Sequence, residues 1–122
     1  MNVTILTFGR KYGMPEADVV FDARCLENPY WMTALRPLSG RDKAVRDYIM
    51  RFPDGAAYVE RLCGLACLQA SLASARGCQK LTFAVGCTGG RHRSVTVGIL
   101  LARALEESGF PVTLMHRDIE KG

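Results

Sequence analysis

The stretch VGCTGGRHRSV at residues 85–95 concentrates residue types that bind or transform anions. It sets glycines beside a cysteine, a histidine and two arginines. Glycines let main-chain amides approach a ligand closely, and arginines add bidentate, charge-assisted hydrogen bonds to phosphate. With Ser94 near the N-cap of a following helix, these amides and the positive helix end would form a cradle for phosphate. The pattern favours an anion site over a plain turn.

The predicted phosphate contacts all lie in this loop. Gly86, Gly89 and Gly90 allow backbone conformations that are closed to other residues and let the chain approach a ligand closely. His92 could donate a hydrogen bond or change its protonation near neutral pH. The full set of predicted contacts from the loop is Thr88, Gly89, Gly90, Arg91, His92, Arg93 and Ser94.

The same residues also fit a second kind of chemistry. Cys87 to Ser94 reads C-x-x-G-x-x-R-S, the spacing of the phosphate loop in cysteine-dependent phosphatases. Cys87 would be the nucleophile, Arg93 would hold phosphate oxygens and Ser94 would assist the thiolate. Against this, Gly86 stands where phosphatases usually have histidine, and no general-acid loop is evident. The unplaced candidates for the acid are Asp22, Asp42 and Asp118.

Other nucleotide chemistries lack their motifs. Neither GxxxxGK[ST] nor GxGxxG occurs in the sequence, so ATP hydrolysis by a P-loop mechanism is not supported. The HRD at residues 116–118 resembles a kinase catalytic loop, but the glycine-rich loop, the strand lysine and DFG are missing. We instead expect His116 and Arg117 to project from a strand end toward the anion site.

Hydrophobic periodicity predicts the elements that must position these residues. Alternating or continuous apolar runs predict strands at residues 2–8, 19–24, 80–86 and 111–117, and helical spacing predicts helices at 41–52, 56–75 and 94–108. Strand, loop, helix and strand around residues 80–117 form a βαβ unit with parallel strands and a right-handed crossover. The expected fold is α/β: a single domain over residues 1–122, with a mostly parallel sheet and flanking helices. In such sheets ligands bind at the carboxyl ends of strands, where residues 86–93 lie.

A long irregular stretch, CLENPYWMTALRPLSG, follows the second strand. Loops of more than about a dozen residues inside compact domains tend to be functional. Its candidates are Asn28, Tyr30, Trp31 and Arg36. The alternative is that Tyr30 and Trp31 cover an exposed edge of the core.

Charge and hydropathy limit the kinds of partner that the protein is expected to bind. The 122 residues carry 16 Lys and Arg against 12 Asp and Glu, a net charge of +4, which favours phosphates or RNA. No apolar run approaches the roughly 20 residues of a membrane helix, and the first residues read as a strand instead of a signal peptide. We therefore expect a soluble, cytoplasmic protein that has no membrane partner.

Cysteine usage indicates free thiols. The five cysteines are odd in number and lack a paired framework, as in a reducing cytosol. Cys63 and Cys67, one helical turn apart among Leu and Ala, should act as small buried hydrophobes. A zinc site usually needs four converging ligands, so metal ligation by this pair is not expected. No cofactor is predicted either.

Five segments in order resemble the C-terminal domain of the RapZ family of RNase adapter proteins, also described as the YvcJ family of nucleotide-binding proteins. They are FGRKYGMP, ADVVFDAR, LENPYWMTALRPLSGRDKAVRDYI, GCTGGRHRSV and VTLMHRDIEK. The resemblance implies an α/β regulatory domain of the RNase adapter type. Such a domain would bind phosphorylated small molecules, notably an amino sugar phosphate such as glucosamine 6-phosphate, and structured small RNA.

The resemblance also implies site residues. Thr88, Gly89, Gly90, His92 and Arg93 would bind the ligand's phosphate. Tyr30 falls where some members have histidine and is a further ligand candidate. From charge and loop position, the candidates for contacting RNA phosphates or the same ligand are Arg10, Lys11, His116 and Arg117.

Full-length family members carry an N-terminal kinase-like domain with a Walker A motif, which this sequence lacks. We therefore expect either a stand-alone homologue or a fragment, and ATP binding is not carried over from the family. Assembly into a homo-oligomer is left open, as is the choice between a non-enzymatic binding domain and a phosphatase-like enzyme.

Overall fold

A four-stranded parallel sheet forms the centre of the computed structural model, which describes residues 1–121. Strands β1 (Asn2–Gly9), β2 (Val19–Asp22), β3 (Lys80–Cys87) and β4 (Val112–His116) lie in the order β2-β3-β1-β4. Each pairing between neighbours is parallel. The α/β class is confirmed. The predicted βαβ unit is present too, but β1 lies between its strands, because β4 pairs with β1.

Three helices accompany the sheet: α1 (Lys43–Met50), α2 (Pro53–Ala75) and α3 (Arg93–Glu107). Helix α3 follows β3 and contacts β1, β3, β4 and α2. Short 3-10 turns lie at Arg10–Tyr12 and Pro29–Trp31. Among residues 1–121, no helix is both long and apolar enough to cross a membrane.

The predicted break between the first two helices was misplaced. The predicted helices at 41–52 and 56–75 leave out residues 53–55, which form the first turn of α2. Proline suits that position because the first N–H groups of a helix lack partners within it. Asp54 lies in the same turn, where a negative charge meets the positive helix end.

Cys63 and Cys67 lie on α2 and are partly buried against the hydrophobic core, as expected for small apolar side chains. Burial raises the pKa of the Cys63 thiol to about 11. This thiol therefore stays protonated at neutral pH.

Glycines give room where strand ends approach one another. A Cβ on Gly86 would lie 2.3 Å from Cζ of Phe8, and one on Gly90 would lie 2.5 Å from the amide nitrogen of Gly9. Only Gly90 of the three loop glycines has a left-handed backbone, with φ at 77°. Gly86 and Gly89 do not use the left-handed conformations that glycine allows, and at position 86 it is the space beside the Phe8 ring that requires glycine.

A buried carboxylate joins the C-terminal turn to the end of β1. Asp118 is fully buried and accepts a hydrogen bond from the Gly9 amide at 2.7 Å. It also pairs with Arg117 at 2.9 Å and Lys121 at 2.7 Å. Burial alone would raise the pKa of Asp118, but these hydrogen bonds and charges lower it to about 2. The group is therefore ionised at neutral pH.

We predict that Asp118→Asn lowers the free energy of unfolding at pH 7 by about 2.5 kcal/mol, the equivalent of this pKa difference. The ionised carboxylate stabilises the fold above the pKa of the unfolded state, about 3.9, and this contribution disappears as pH falls toward the folded value. Urea unfolding at several pH values measures it. The acid-dependent loss between about pH 4 and pH 2 should shrink in the variant.

Glu120→Gln is the matched control, because Glu120 is exposed in the same turn. It should leave both the stability and its acid dependence nearly unchanged. An Asp118→Asn protein as stable as the wild type at pH 7 would contradict the assigned role.

Candidate functional site

A cavity of about 700 Å³ lies at the carboxyl end of β3, within the size range of small-molecule sites. Two segments supply most of its lining. The glycine loop, residues 87–93, contributes Cys87, Thr88, Gly89, Arg91, His92 and Arg93. The aromatic segment, residues 28–37, contributes Asn28, Tyr30, Trp31, Arg36 and Pro37, and Lys11 and Lys121 complete the lining.

The lining is strongly basic. Five of its side chains are Lys or Arg, and no Asp or Glu lines it within residues 1–121. Lys121 is paired with the buried Asp118, which itself lies outside the lining. Excess positive charge in a concave site raises the local concentration of anions. The cavity is therefore suited to an anionic ligand.

Arg91 holds three chain segments together. Its guanidinium donates to the carbonyls of Pro37 at 2.7 Å, Leu38 at 3.0 Å and Ile119 at 2.9 Å. Three of its five N–H groups are thus used on the main chain. Arg91 therefore brings positive charge to the cavity and positions the aromatic segment. The predicted bidentate contact with phosphate is not supported, because these donors are already used.

Arg93 is also anchored on the main chain. It is 8% exposed, and Nη1 donates to the carbonyls of Arg24 at 2.8 Å and Leu26 at 3.4 Å. Both bonds use one nitrogen, so the guanidinium has further N–H groups in a side chain that lines the cavity. Arg93 can therefore offer a bidentate contact from a fixed position.

His92 is neutral and helps to hold the aromatic segment. Its Nε2 donates to the carbonyl of Leu35 at 3.2 Å, and burial lowers its pKa below the usual 6.5. The expected change of protonation near neutral pH is thus shifted to more acidic values. His92 is also the N-cap residue of α3, so Ser94, which was predicted near the cap, lies two positions beyond it, inside the first turn.

Cys87 lies within hydrogen-bonding distance of two groups that the phosphatase spacing brings to it. The Gly90 amide donates to its sulfur at 3.3 Å, and the thiol donates to the Ser94 hydroxyl at 3.2 Å. Cys87 is 3% exposed, and Ser94 is fully buried. The loop thus encloses a sulfur atom at the cavity lining.

The three aspartates considered as general acids are engaged elsewhere. Hydrogen bonds from Arg24 lower the pKa of Asp22, and the Asp42 carboxylate accepts the Ser39 amide at 2.9 Å. Asp118 is ionised and buried, as described above. In the part of the chain that the structure describes, none of these carboxylates lines the cavity.

The aromatic segment is ordered by its own hydrogen bonds. The Asn28 side chain accepts the Tyr30 amide at 3.2 Å, which starts the 3-10 turn. Arg36 donates to the Tyr30 carbonyl at 2.8 Å, and its guanidinium lies 4.7 Å from the centre of the Tyr30 ring. Trp31 is 74% exposed, so it does not cover an edge of the core.

The four basic candidates outside the glycine loop lie at different places in the structure. Lys11 lines the cavity, and its amide donates to the Thr88 carbonyl at 3.3 Å. Arg10 follows the same strand but lies 3.6 Å from Asp22. Arg117 is bound to Asp118 and to the Gly13 carbonyl.

His116 is directed to β1. Its Nδ1 lies 2.7 Å from the Thr7 hydroxyl, and burial, with a smaller effect of Arg41, lowers its pKa. In the described residues, the cavity lining includes none of Arg10, His116 and Arg117. The expected convergence of His116 and Arg117 on the anion site is therefore not seen.

Lys121 and Pro37 line the cavity but were not singled out from the sequence. Lys121 lies after β4, beyond the last predicted strand. Its amide donates to the Asp118 carbonyl, and its side chain pairs with Asp118 in the same turn. The spacing of Asp118 and Lys121 in the sequence could have indicated this ion pair, because opposite charges three residues apart can pair in a helical turn.

Comparison with known proteins connects this domain to longer chains. Three relatives, each named nucleotide-binding protein, come from Carboxydothermus hydrogenoformans, Nitratidesulfovibrio vulgaris and Rubrobacter xylanophilus, with identities of 44%, 45% and 46%. The alignments cover 99%, 100% and 100% of this chain and 42% of each relative. The chain thus spans about two fifths of their length.

The RapZ C-terminal domain family matches residues 1–120. That match covers all four strands, the three helices, the glycine loop and the aromatic segment. The resemblance of the five sequence segments is thereby confirmed over the described fold, and the chain belongs to the RapZ C-terminal domain family.

Proposed function

We propose that this domain is a non-enzymatic regulatory module that binds a phosphate-bearing small molecule in the cavity at the end of β3. The observation that carries the proposal is the basic lining, which within residues 1–121 contains no carboxylate. The glycine loop also leads directly into α3, whose positive N-terminal end favours a phosphate nearby. The relatives' name, nucleotide-binding protein, supports a phosphate-bearing ligand.

The loop residues have different roles in this proposal. Thr88, Gly89 and Arg93 line the cavity and contact the phosphate, with Lys11 adding charge. Gly90 and Ser94 hold the sulfur of Cys87 and shape the loop. Arg91 and His92 position the aromatic segment and complete the lining. Of these contacts, Arg93 is held in place by its main-chain hydrogen bonds before the ligand arrives, which lowers the entropic cost of binding.

Glucosamine 6-phosphate is the specific ligand that the family resemblance suggests. Its phosphate would meet the glycine loop, and its sugar would face Asn28 and Tyr30, which offer an amide and a hydroxyl as hydrogen-bonding partners. The amine would use these neutral acceptors, because the described lining lacks a carboxylate.

Calorimetric titration with glucosamine 6-phosphate, inorganic phosphate and glucosamine tests this function. We expect the two phosphate-bearing compounds to bind, glucosamine 6-phosphate more tightly, and glucosamine to bind far more weakly. Lys11→Ala should weaken phosphate binding by roughly 3-fold to 10-fold, as expected for loss of one partly exposed charge contact.

Lys80→Ala is the matched control, since Lys80 is an exposed lysine at the amino end of β3. It should leave both affinities unchanged. If the folded wild-type protein gives no heat with either phosphate-bearing compound, the binding function is refuted.

Contact with structured small RNA, in an RNase adapter role, is a second part of the proposal. The net charge of +4 and the basic side chains near the strand ends support it. Arg10 and Lys11 follow β1 directly, and Arg117 follows β4. His116 would contribute a hydrogen bond and not a charge, because its lowered pKa keeps it neutral at pH 7.

A gel-shift assay against a structured small RNA at two salt concentrations measures this contact. We expect salt-dependent binding that weakens in Arg10→Ala and Lys11→Ala. Each substitution should reduce the steepness of the plot of log binding constant against log salt concentration by about one. Lys80→Ala serves again as the control. Binding that neither substitution affects would remove these two residues from the RNA surface.

A phosphatase-like activity is the second candidate function, favoured by the geometry around Cys87. Its sulfur accepts the Gly90 amide and contacts the Ser94 hydroxyl, and Arg93 lies in the same loop. Among residues 1–121, however, no carboxylic acid lines the cavity to protonate a leaving group. The activity would thus suit a substrate whose leaving group departs without an acid.

Turnover of an aryl phosphate tests this alternative, because an aryl oxide leaves without protonation. The enzyme hypothesis predicts turnover that Cys87→Ser abolishes while the variant still binds inorganic phosphate. We expect no turnover by the wild-type protein, in accord with a binding domain. Cys87-dependent turnover would reverse this assignment.

A further inference from the structure

Trp31 and Tyr30 expose aromatic surface at the edge of a basic cavity. Trp31 is 74% exposed and Tyr30 is 47% exposed, and both line the same cavity as the glycine loop. Aromatic side chains usually bury most of their area in a core or interface, so an exposed pair beside a ligand cavity is available for contact. The hydrophobic core of the domain does not account for the position of Trp31.

The pair is held in place before any ligand binds. The two rings pack edge to face with centres 5.3 Å apart, and Arg36 lies over the Tyr30 ring at 4.7 Å. Hydrogen bonds from Arg91 to Pro37 and from His92 to Leu35 fasten this segment to the glycine loop. A rigid aromatic surface loses little conformational entropy on binding, so it is suited to stack on a planar group.

The cavity therefore combines two kinds of recognition. The glycine loop and Lys11 suit a phosphate, while Tyr30, Trp31 and Arg36 suit the face of a flat, uncharged ring. A sugar phosphate would use the first and leave the indole of Trp31 exposed. A nucleotide carries both groups in one molecule.

We propose that Tyr30, Trp31 and Arg36 form a stacking platform for the base of a nucleotide whose phosphate occupies the glycine loop. The inference rests on the phosphate-binding function proposed above and specifies its ligand class. Stacking on an aromatic side chain tolerates different bases, and it strengthens binding by roughly 5-fold to 100-fold. The nucleotide is a free mononucleotide or an unpaired residue of RNA, since both present a base linked to phosphate.

Trp31 is the single tryptophan of the chain, so intrinsic fluorescence reports on this platform directly. The test titrates the protein with adenosine monophosphate, ribose 5-phosphate and adenosine, with calorimetry in parallel. Adenosine monophosphate should quench Trp31 and bind about 10-fold more tightly than ribose 5-phosphate. Ribose 5-phosphate should bind without comparable quenching.

Variants separate stacking from phosphate binding. By calorimetry, Trp31→Ala should reduce the affinity for adenosine monophosphate to that for ribose 5-phosphate and leave the latter unchanged, whereas Trp31→Phe should keep most of the preference. Met32→Ala is the matched control, because Met32 is a neighbouring exposed side chain outside the cavity lining described for residues 1–121. It should preserve the preference.

Each outcome is decisive. Equal affinity for adenosine monophosphate and ribose 5-phosphate, or a preference that survives Trp31→Ala, overturns the platform while the phosphate site stands. No binding of any phosphate compound by the folded protein refutes both proposals. A single-stranded oligoribonucleotide that binds more tightly than the mononucleotide, and depends on Trp31, identifies RNA as the source of the base. The reverse order identifies a free nucleotide.

Discussion

The three hydrogen bonds of Arg91 are the contact on which the candidate site depends. They join the glycine loop to the carbonyls of Pro37, Leu38 and Ile119, which belong to segments far apart in the sequence. Arginine suits this position because its planar group presents several donors at once and stays charged at any physiological pH. The aromatic segment and the C-terminal turn therefore meet at one cavity.

The hydrogen-bonding partners of Arg91 and Arg93 also determine the net charge of the cavity. Arg91 and Arg93 bond to main-chain carbonyls, which are neutral, so their positive charges are not cancelled. Outside the lining, Asp22 is paired with Arg24, and Asp118 is paired with Arg117 and Lys121. Placing carboxylates away from the cavity, and carbonyls around it, leaves a net positive site for an anion. The proposals for phosphate and for a nucleotide base both depend on this separation.

Sequence patterns located the elements well and their boundaries less well. Continuous apolar runs predicted β3, and glycines in the left-handed region follow α2 and α3 at Gly77 and Gly109, as expected of helix ends. Residues 53–55 were predicted to separate two helices because proline and glycine usually interrupt helices. Proline in the first turn of a helix has the same local signature, and only the packing of α2 distinguishes the two.

Local sequence patterns were enough to establish the α/β class and the family, and they predicted an anion-binding loop at residues 87–93. These follow from local periodicity, from glycine and arginine in one short stretch, and from five segments in order. The charges that reach the cavity are known only from the folded structure, because Lys121, Lys11 and Arg36 converge from separate parts of the chain. The folded structure also shows that Gly86 makes room for Phe8 and that Arg91 bonds to carbonyls. Such roles depend on neighbours distant in sequence, and a linear pattern carries no information about their distance in space.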